Sequence, residues 1–300
     1  MKDITEKIET RRRALAGAFL QIPEKILKAT DYGRKTDKGN AIEASRIAGI
    51  MAVKNTANAL PFCHPIPITH CDVFFEIQSE GIRIEVTATT IASTGVEMEA
   101  LYGASVAAIN LYDMLKPHAP SDTGVIAVTD IKLIKKSGGK SDYPIPTGLQ
   151  AAVVITNDAV FTGQKKDTAG DALKAELEKR GVHIASYTVL GNEEGPIGAH
   201  LDELLASSPP DLIFTVGGTG LEKKDRTVEV VQRRLDREVP GVMEAARHYG
   251  QRRTPRALFS RGVAGQIGET LIATFPGSTQ GVKETAQAVL LGLVYGAAQT

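Results

Sequence analysis

Apolar and polar residues alternate through CDVFFEIQS (71 to 79) and IRIEVTATT (82 to 90), a period of two that predicts two strands joined at Glu80 and Gly81. From about Val96 to Lys116 the period lengthens. Met98, Leu101, Ser105, Ala108, Tyr112 and Leu115 recur three or four residues apart, which predicts one face of a long helix. AIEASRIAGIMAVKNTANAL (41 to 60) reads as another helix, the charged first residues as an N-terminal helix, and GVIAVTDIKLIKK (124 to 136) as a last strand. Hairpin strands set among helices predict an α+β domain whose antiparallel sheet is covered on one face.

The pattern breaks at SGGKSDYPIPTGLQ (137 to 150), where Gly, Pro and polar residues replace periodic apolar ones. The predicted organisation is a domain over 1–143, a linker over 144–150 and a second domain over 151–300. Beyond the break, the short apolar runs AAVVIT, IASYTVL, DLIFTVGG and TLIATFPG alternate with helical stretches such as DTAGDALKAELEKR, where Gly181 suits a C-terminal cap. Such alternation predicts a three-layer α/β/α domain with a mostly parallel sheet and ligands at the carboxyl ends of its strands. The halves share no repeat.

Composition narrows the function classes. Lys and Arg total 35 and Asp and Glu also total 35, and neither half departs from balance by more than one charge, so nothing resembles a nucleic-acid surface. The first residues have no apolar core and read as no secretory signal. AQAVLLGLVYGAAQ (286 to 299) is shorter than the roughly 20 residues that a membrane span needs. Two cysteines in 300 residues form no disulfide framework, and a reducing cytoplasm is the expected compartment.

Chemistry concentrates in a few stretches. In STGVEMEALYGASVAAINLYDMLK (93 to 116), Glu97 and Glu99 start the helix, and Asp113 and Lys116 lie one turn apart near its end. Thr94 and Glu97 also fit an ordinary capping box, and Asp113 with Lys116 an ordinary surface ion pair. Lys136 and Lys140 flank a glycine pair that suits an anion or merely a solvated loop. Lys38, in DKGNA (37 to 41), precedes a helix N-terminus. LPFCHPIPITHC (60 to 71) holds both cysteines, but its adjacent Cys-His pairs do not match zinc-ligand spacing. His64 is open to a catalytic or a core role. In the second half, TVGGTGLEKKDRT (215 to 227) places a glycine turn between a strand and a helix, and FPGST (275 to 279) forms a second such turn. Both offer backbone N–H groups to a phosphate, and neither is a Walker loop.

DKGNA, SRIAGI, LPFCHPIP, TGVEMEAL, ASVAAINLYDM and KKSGGKS, in this order over residues 1 to 143, closely resemble cyclic pyranopterin monophosphate synthase. The resemblance implies a ferredoxin-like α+β fold, a hexamer with sites between subunits, and conversion of (8S)-3′,8-cyclo-7,8-dihydroguanosine 5′-triphosphate to cyclic pyranopterin monophosphate plus pyrophosphate. It further implies Asp113, Lys116, Lys38 and His64 as catalytic residues. Phe62, Cys63, His64, Met98, Glu97, Glu99, Lys54, Lys136 and Lys140 are implied as substrate-binding, with no certain cofactor. Asn40 and Asp142 depart from the family pattern. His70 and Cys71 fall outside it.

ITND, DTAGDAL, TVGGTGLEKKDRT, REVPGVMEAAR, SRGVAG and TLIATFPGSTQGVKE, over residues 151 to 297, resemble the molybdopterin-binding and molybdopterin adenylyltransferase family. That implies Mg2+ with ATP as co-substrate. Gly217, Gly218, Thr219 and Gly220 become a phosphate or pterin cradle, and Asp225 the Mg2+ ligand. Asp167, Thr168, Pro276, Gly277 and Ser278 complete the pocket. Where active members carry a further acid, this chain has Asn192, so the half reads either as an enzyme or as a pterin-binding module. The expected whole is a cytoplasmic, homo-oligomeric, bifunctional protein of molybdenum cofactor biosynthesis, with no nucleic-acid or membrane partner.

Overall fold

The computed structural model describes every residue except 120–123, 145, 207 and 300, and all side chains except those and 140 and 141. The chain divides into two compact units, Met1–Asp142 and Tyr143–Thr300. The first runs β1 (Thr10–Gln21), α1 (Glu24–Ala29), α2 (Ala41–Lys54), α3 (Thr56–Ala59), β2 (His70–Gln78), β3 (Gly81–Ala92), α4 (Glu97–Leu115) and β4 (Ala127–Gly138). Its four strands lie in the order β2-β3-β1-β4, every neighbour antiparallel, which is the expected ferredoxin-like arrangement.

The charged N-terminal helix expected from the sequence does not form; those residues lead into β1, a central strand. Ala14, Ala16, Ala18 and Leu20 alternate into the core, while Arg11 and Arg13 stay exposed. Small residues alone favour a helix here. Pairing with β3 on one side and β4 on the other satisfies the backbone of β1 and overrides that local preference. The hairpin turn also shifts: Gln78 pairs with Gly81, so Ser79 and Glu80 make the turn. The helix expected over 41–60 breaks at Asn55, whose side-chain amide donates to the Met51 carbonyl at 2.8 Å and ends α2.

α4 buries only part of the predicted stripe, Ala108 and Leu115, and adds a row of small residues beside it. Ala100, Gly103, Ala104, Ala107, Ala108, Leu111 and Leu115 face the core, whereas Met98 is 44% and Tyr112 37% exposed. Close approach explains this. A Cβ on Gly103 would lie 2.5 Å from Val53 Cγ2, and one on Gly49 would lie 3.2 Å from Ala107 Cβ, so only glycine lets α2 and α4 come this near. Asn110 on α4 adds a polar tie, its amide donating to Ser45 Oγ of α2 at 3.1 Å.

The second unit runs β5 (Gln150–Thr156), α5 (Asp158–Phe161), α6 (Thr168–Glu178), β6 (His183–Leu190), α7 (Glu194–Ala206), β7 (Leu212–Val216), α8 (Thr227–Gln232), β8 (Arg237–Glu238), α9 (Pro240–Gln251), β9 (Ala264–Ile267), β10 (Thr270–Phe275) and α10 (Thr279–Ala297). The sheet order is β6-β5-β7-β10-β9-β8. The first four strands are parallel and are the four read from the apolar runs; β9 and β8 add an antiparallel edge. Successive residues of β5 enter opposite layers: Ala151, Val153 and Ile155 pack with α6 and α10, and Ala152 and Val154 with α7 and α8. Among the described residues, no helix is long and apolar enough to cross a membrane.

Candidate functional site

In the first unit the loop before α2 and the end of α4 bring together three of the expected residues. Asp113 Oδ2 accepts from Lys38 Nζ at 2.6 Å, and its Oδ1 lies 2.8 Å from Lys116 Nζ. Lys38 also donates to the Asp113 carbonyl at 3.3 Å. Asn40 makes the loop possible, because its Oδ1 caps α2 by accepting from the Glu43 N–H at 3.1 Å. Hydrogen bonds from Lys116 and then Lys38 hold the Asp113 carboxyl down to about 2, and Asp113 in turn raises Lys116. The surface ion pair considered from sequence is therefore present, as part of a larger cluster with two cations on one carboxylate.

A second cluster sits at the other end of α4. Glu99 is 4% exposed, and burial raises its carboxyl. With His64, Lys54 and Asn55 it lines a cavity of about 290 Å³. Burial, and secondarily the charge of Glu99, raises the Cys63 thiol. Phe62 and Met98 are exposed and lie outside this cavity. Glu97 does not form the capping box; Val96 is the N-cap without a side-chain bond, and Glu97 pairs with Lys136 at 3.4 Å. Arg12 and Arg13 join Glu97 and Lys136 around a smaller cavity, and Arg12 Nε is buried without a hydrogen-bond partner among the described residues. The sequence reading missed both arginines, whose alternating strand position alone carries no chemical signal. Asp142 turns the lysine loop, accepting the Gly138 N–H at 2.6 Å; the Lys140 side chain lies outside the described residues.

The two clusters stand apart. Glu99 and Asp113 are fourteen positions apart on one helix, which at the α-helical rise is roughly 21 Å. His70 and Cys71 start β2, and among the described residues no group of three His, Cys, Asp or Glu side chains is placed to hold a metal.

In the second unit the expected turns meet at the carboxyl ends of β7 and β10. The Gly217 N–H donates to the Phe275 carbonyl at 2.9 Å, and a Cβ on Gly277 would lie 3.2 Å from Gly217 Cα. Gly217 and Gly218 have φ of +111° and +61°, and added Cβ atoms would meet the Thr156 carbonyl at 2.2 Å and Thr227 Oγ1 at 2.1 Å. Glycine is required at both on conformation and on space. Asp225 Oδ2 accepts the Glu222 N–H at 2.9 Å. Asp167 caps α6 through the Gly170 N–H at 2.7 Å, Ser278 caps α10 through the Gly281 N–H at 3.1 Å, and Thr168 and Thr279 hydroxyls join across the turns at 2.6 Å. Thr219, Gly220, Pro276 and Ser278 border a cavity of about 510 Å³; Asp167, Thr168 and Gly277 line a second, smaller pocket.

Two residues here escaped the sequence reading. Arg261 donates to the carbonyls of Gly220 at 2.6 Å and Asp225 at 2.7 Å, so it holds the glycine loop by its backbone. Asp158 accepts from the Asn192 backbone at 2.8 Å and from its side-chain amide at 3.3 Å, which sets a carboxylate beside the position where an acid was expected.

Comparison with known proteins follows the same division. Residues 1–139 match the MoaC family, and residues 152–295 match the probable molybdopterin binding domain. A molybdenum cofactor biosynthesis bifunctional protein of Chlorobaculum tepidum is 35% identical over 295 residues, covering 97% of this chain and 91% of the relative. One of the same name from Synechococcus elongatus is 32% identical over 298 residues, covering 94% and 91%. A cyclic pyranopterin monophosphate synthase of Thermoanaerobacter pseudethanolicus is 42% identical over 143 residues, covering 47% of this chain and 87% of its own. With both halves matched in order and near full length, the chain belongs to the family of molybdenum cofactor biosynthesis bifunctional proteins.

Proposed function

We propose that the first unit converts (8S)-3′,8-cyclo-7,8-dihydroguanosine 5′-triphosphate to cyclic pyranopterin monophosphate and pyrophosphate, in the cytoplasm. The observation that carries this reading is the cluster of Lys38, Asp113 and Lys116, drawn from positions 75 residues apart. Rebuilding a purine-derived ring needs proton transfer at several heteroatoms, and expelling pyrophosphate needs cations against growing negative charge. Asp113, held ionised, orients two ammonium groups; one lysine delivers a proton while the carboxylate stabilises the other as a cation. Glu99, raised by burial, together with His64 supplies proton transfer at the second cluster. Arg12, Arg13, Lys54 and Lys136, with Lys140 by sequence, supply the cations for the triphosphate.

Clusters roughly 21 Å apart on one helix cannot reach one substrate centre. The reading therefore places the complete site between subunits, one end of α4 from each, in a homo-oligomer, with the hexamer the expected form. Exposed Ile47 and Met51 on α2 and Phe74 on β2 support association. Incubation with the cyclised nucleotide tests the reading: absence of both pyrophosphate and cyclic pterin overturns it.

For the second unit the proposal is adenylylation of molybdopterin by Mg-ATP. The glycine turns present N–H groups to phosphate. The Asp225 carboxylate beside them is a hard oxygen donor that fits Mg2+, an ion that takes one or two protein carboxylates and completes its shell with water and phosphate. When bound, Mg2+ neutralises charge on the transferring phosphates. Asp225 would hold it, Arg261 keeps the loop in place, and Asp167 and Ser278 fix the facing helix ends. Asn192 favours a second reading, a pterin-binding module without transfer, because its amide donors already occupy Asp158. Molybdopterin with Mg-ATP separates the two: adenylylated product supports the enzyme, and tight binding without product supports the module.

A further inference from the structure

We infer that Glu284 is the recognition carboxylate of a pterin subsite in the second unit, taking the 2-amino-4-oxopyrimidine edge of the ring. This deepens the reading of that unit as a molybdopterin site and rests on it. Glu284 lies on α10, is 7% exposed, and lines the cavity of about 510 Å³ that opens beside Thr219 and Gly220. Among the described residues its one hydrogen-bond partner is Gln280, whose amide donates to Oε1 at 2.9 Å. A carboxylate has capacity for about four hydrogen bonds, so Glu284 keeps acceptor sites for a ligand that enters the cavity it lines.

The rest of the cavity selects the donor. Arg247 and Arg256 stand on its walls and Phe259, 60% exposed, on its rim. A pterin presents an N3–H and a 2-amino group side by side, which match two carboxylate oxygens, and a 4-oxo group that suits a guanidinium. Its flat bicyclic ring suits an aromatic rim. The phosphate of the same ligand would then lie toward the glycine turns that border the cavity. An adenine ring lacks this edge, so the subsite discriminates the pterin substrate from the nucleotide.

The test uses the full chain, with pterin and lumazine titrated by fluorescence quenching. Lumazine replaces the 2-amino donor by an oxygen that faces the carboxylate. The wild type is expected to prefer pterin on the order of tenfold to a hundredfold, the range for a well-formed bidentate edge contact. Glu284→Gln is expected to erase that preference, leaving Mg-ATP affinity unchanged. Equal affinities in the wild type, a preserved preference in folded Glu284→Gln, or tighter capture of guanosine than of pterin each overturns the inference. Should the variant fail to fold, the wild-type comparison alone decides. Adenylylation of molybdopterin without a pterin preference sinks the subsite and spares the transferase reading; a preference without adenylylation does the reverse.

Discussion

Asp113→Asn is the most informative single change. In the structure the carboxylate accepts from two ammonium groups at 2.6 and 2.8 Å, and these hold it at about 2. Held this low by its two lysines, the Asp113 carboxyl is ionised at neutral pH, which fits a fixed anion better than an acid. An amide has one oxygen and an NH2 group in its place. One lysine must then face a donor, and both lose the charge that raises Lys116. All three side chains are about half exposed, at 47%, 48% and 53%, so the pairs contribute little to folding. The expected result is a fall in turnover of about 10² to 10⁴, the usual contribution of acid-base catalysis, measured by pyrophosphate release, with the melting temperature nearly unchanged. Because the three groups act together, adding Lys116→Met to Asp113→Asn should cost little more than either alone. Retention of more than about a tenth of the rate, or independent multiplication of the two losses, would refute the reasoning. The same pairs set an acid limit. A depressed carboxyl contributes stability present above its ordinary value of 3.8 and lost as pH falls through about 2, so any acid destabilisation from this cluster belongs to that window.

Further changes probe other parts of the molecule. Gly217→Ala should lower the stability of the second unit by about 1 to 3 kcal/mol, seen as an earlier melt, since the added methyl meets the Thr156 carbonyl at a positive φ. Replacing His70 and Cys71 together should leave synthase turnover within about twofold of the wild type and bind no zinc, whereas His64→Ala should abolish most turnover; stoichiometric zinc in the wild type would reverse this. Burial, helped by Asp72, holds the Cys71 thiol up to about 11, so alkylation of Cys71 should be slow at neutral pH and accelerate steeply above pH 9, followed by peptide mass spectrometry. Asn192→Asp should lower the Mg2+ concentration needed for adenylylation by about tenfold, because a second carboxylate neutralises the ion where an amide cannot; an unchanged Mg2+ titration would remove residue 192 from the metal's neighbourhood.

What could be read from sequence depended on whether a residue's role is local. The four parallel strands of the second unit were legible because each is a short apolar run closed by a turn, and the glycine turns because φ and space leave no other residue. β1 was not, since its alanines and arginines carry a helical preference that only pairing with β3 and β4 overrides. The buried face of α4 was only partly legible for a related reason: spacing finds Ala108 and Leu115, but it cannot show that glycine and alanine set the distance to α2 while Met98 and Tyr112 stay exposed. Asp113, Lys116 and Lys38 were named from resemblance, and their meeting at one carboxylate needed the fold. Arg12 gave no sequence signal, and Asp158, Arg261 and Glu284 lie inside matched motifs without standing out there, because each matters through a partner or cavity brought close by tertiary packing.

The alanine and glycine face of α4 has a mechanical consequence. Long side chains at a helix contact act as springs that absorb a shift by changing rotamer, and alanine and glycine have no rotamers to change. The helix is thus seated almost bone to bone on α2, with Gly49 and Gly103 at the points of closest approach. The two clusters proposed for the synthase reaction stand at its two ends. A methyl group added near its middle, at neither cluster, would tilt the rod and move both ends at once, so a single packing position gauges two distant pieces of chemistry.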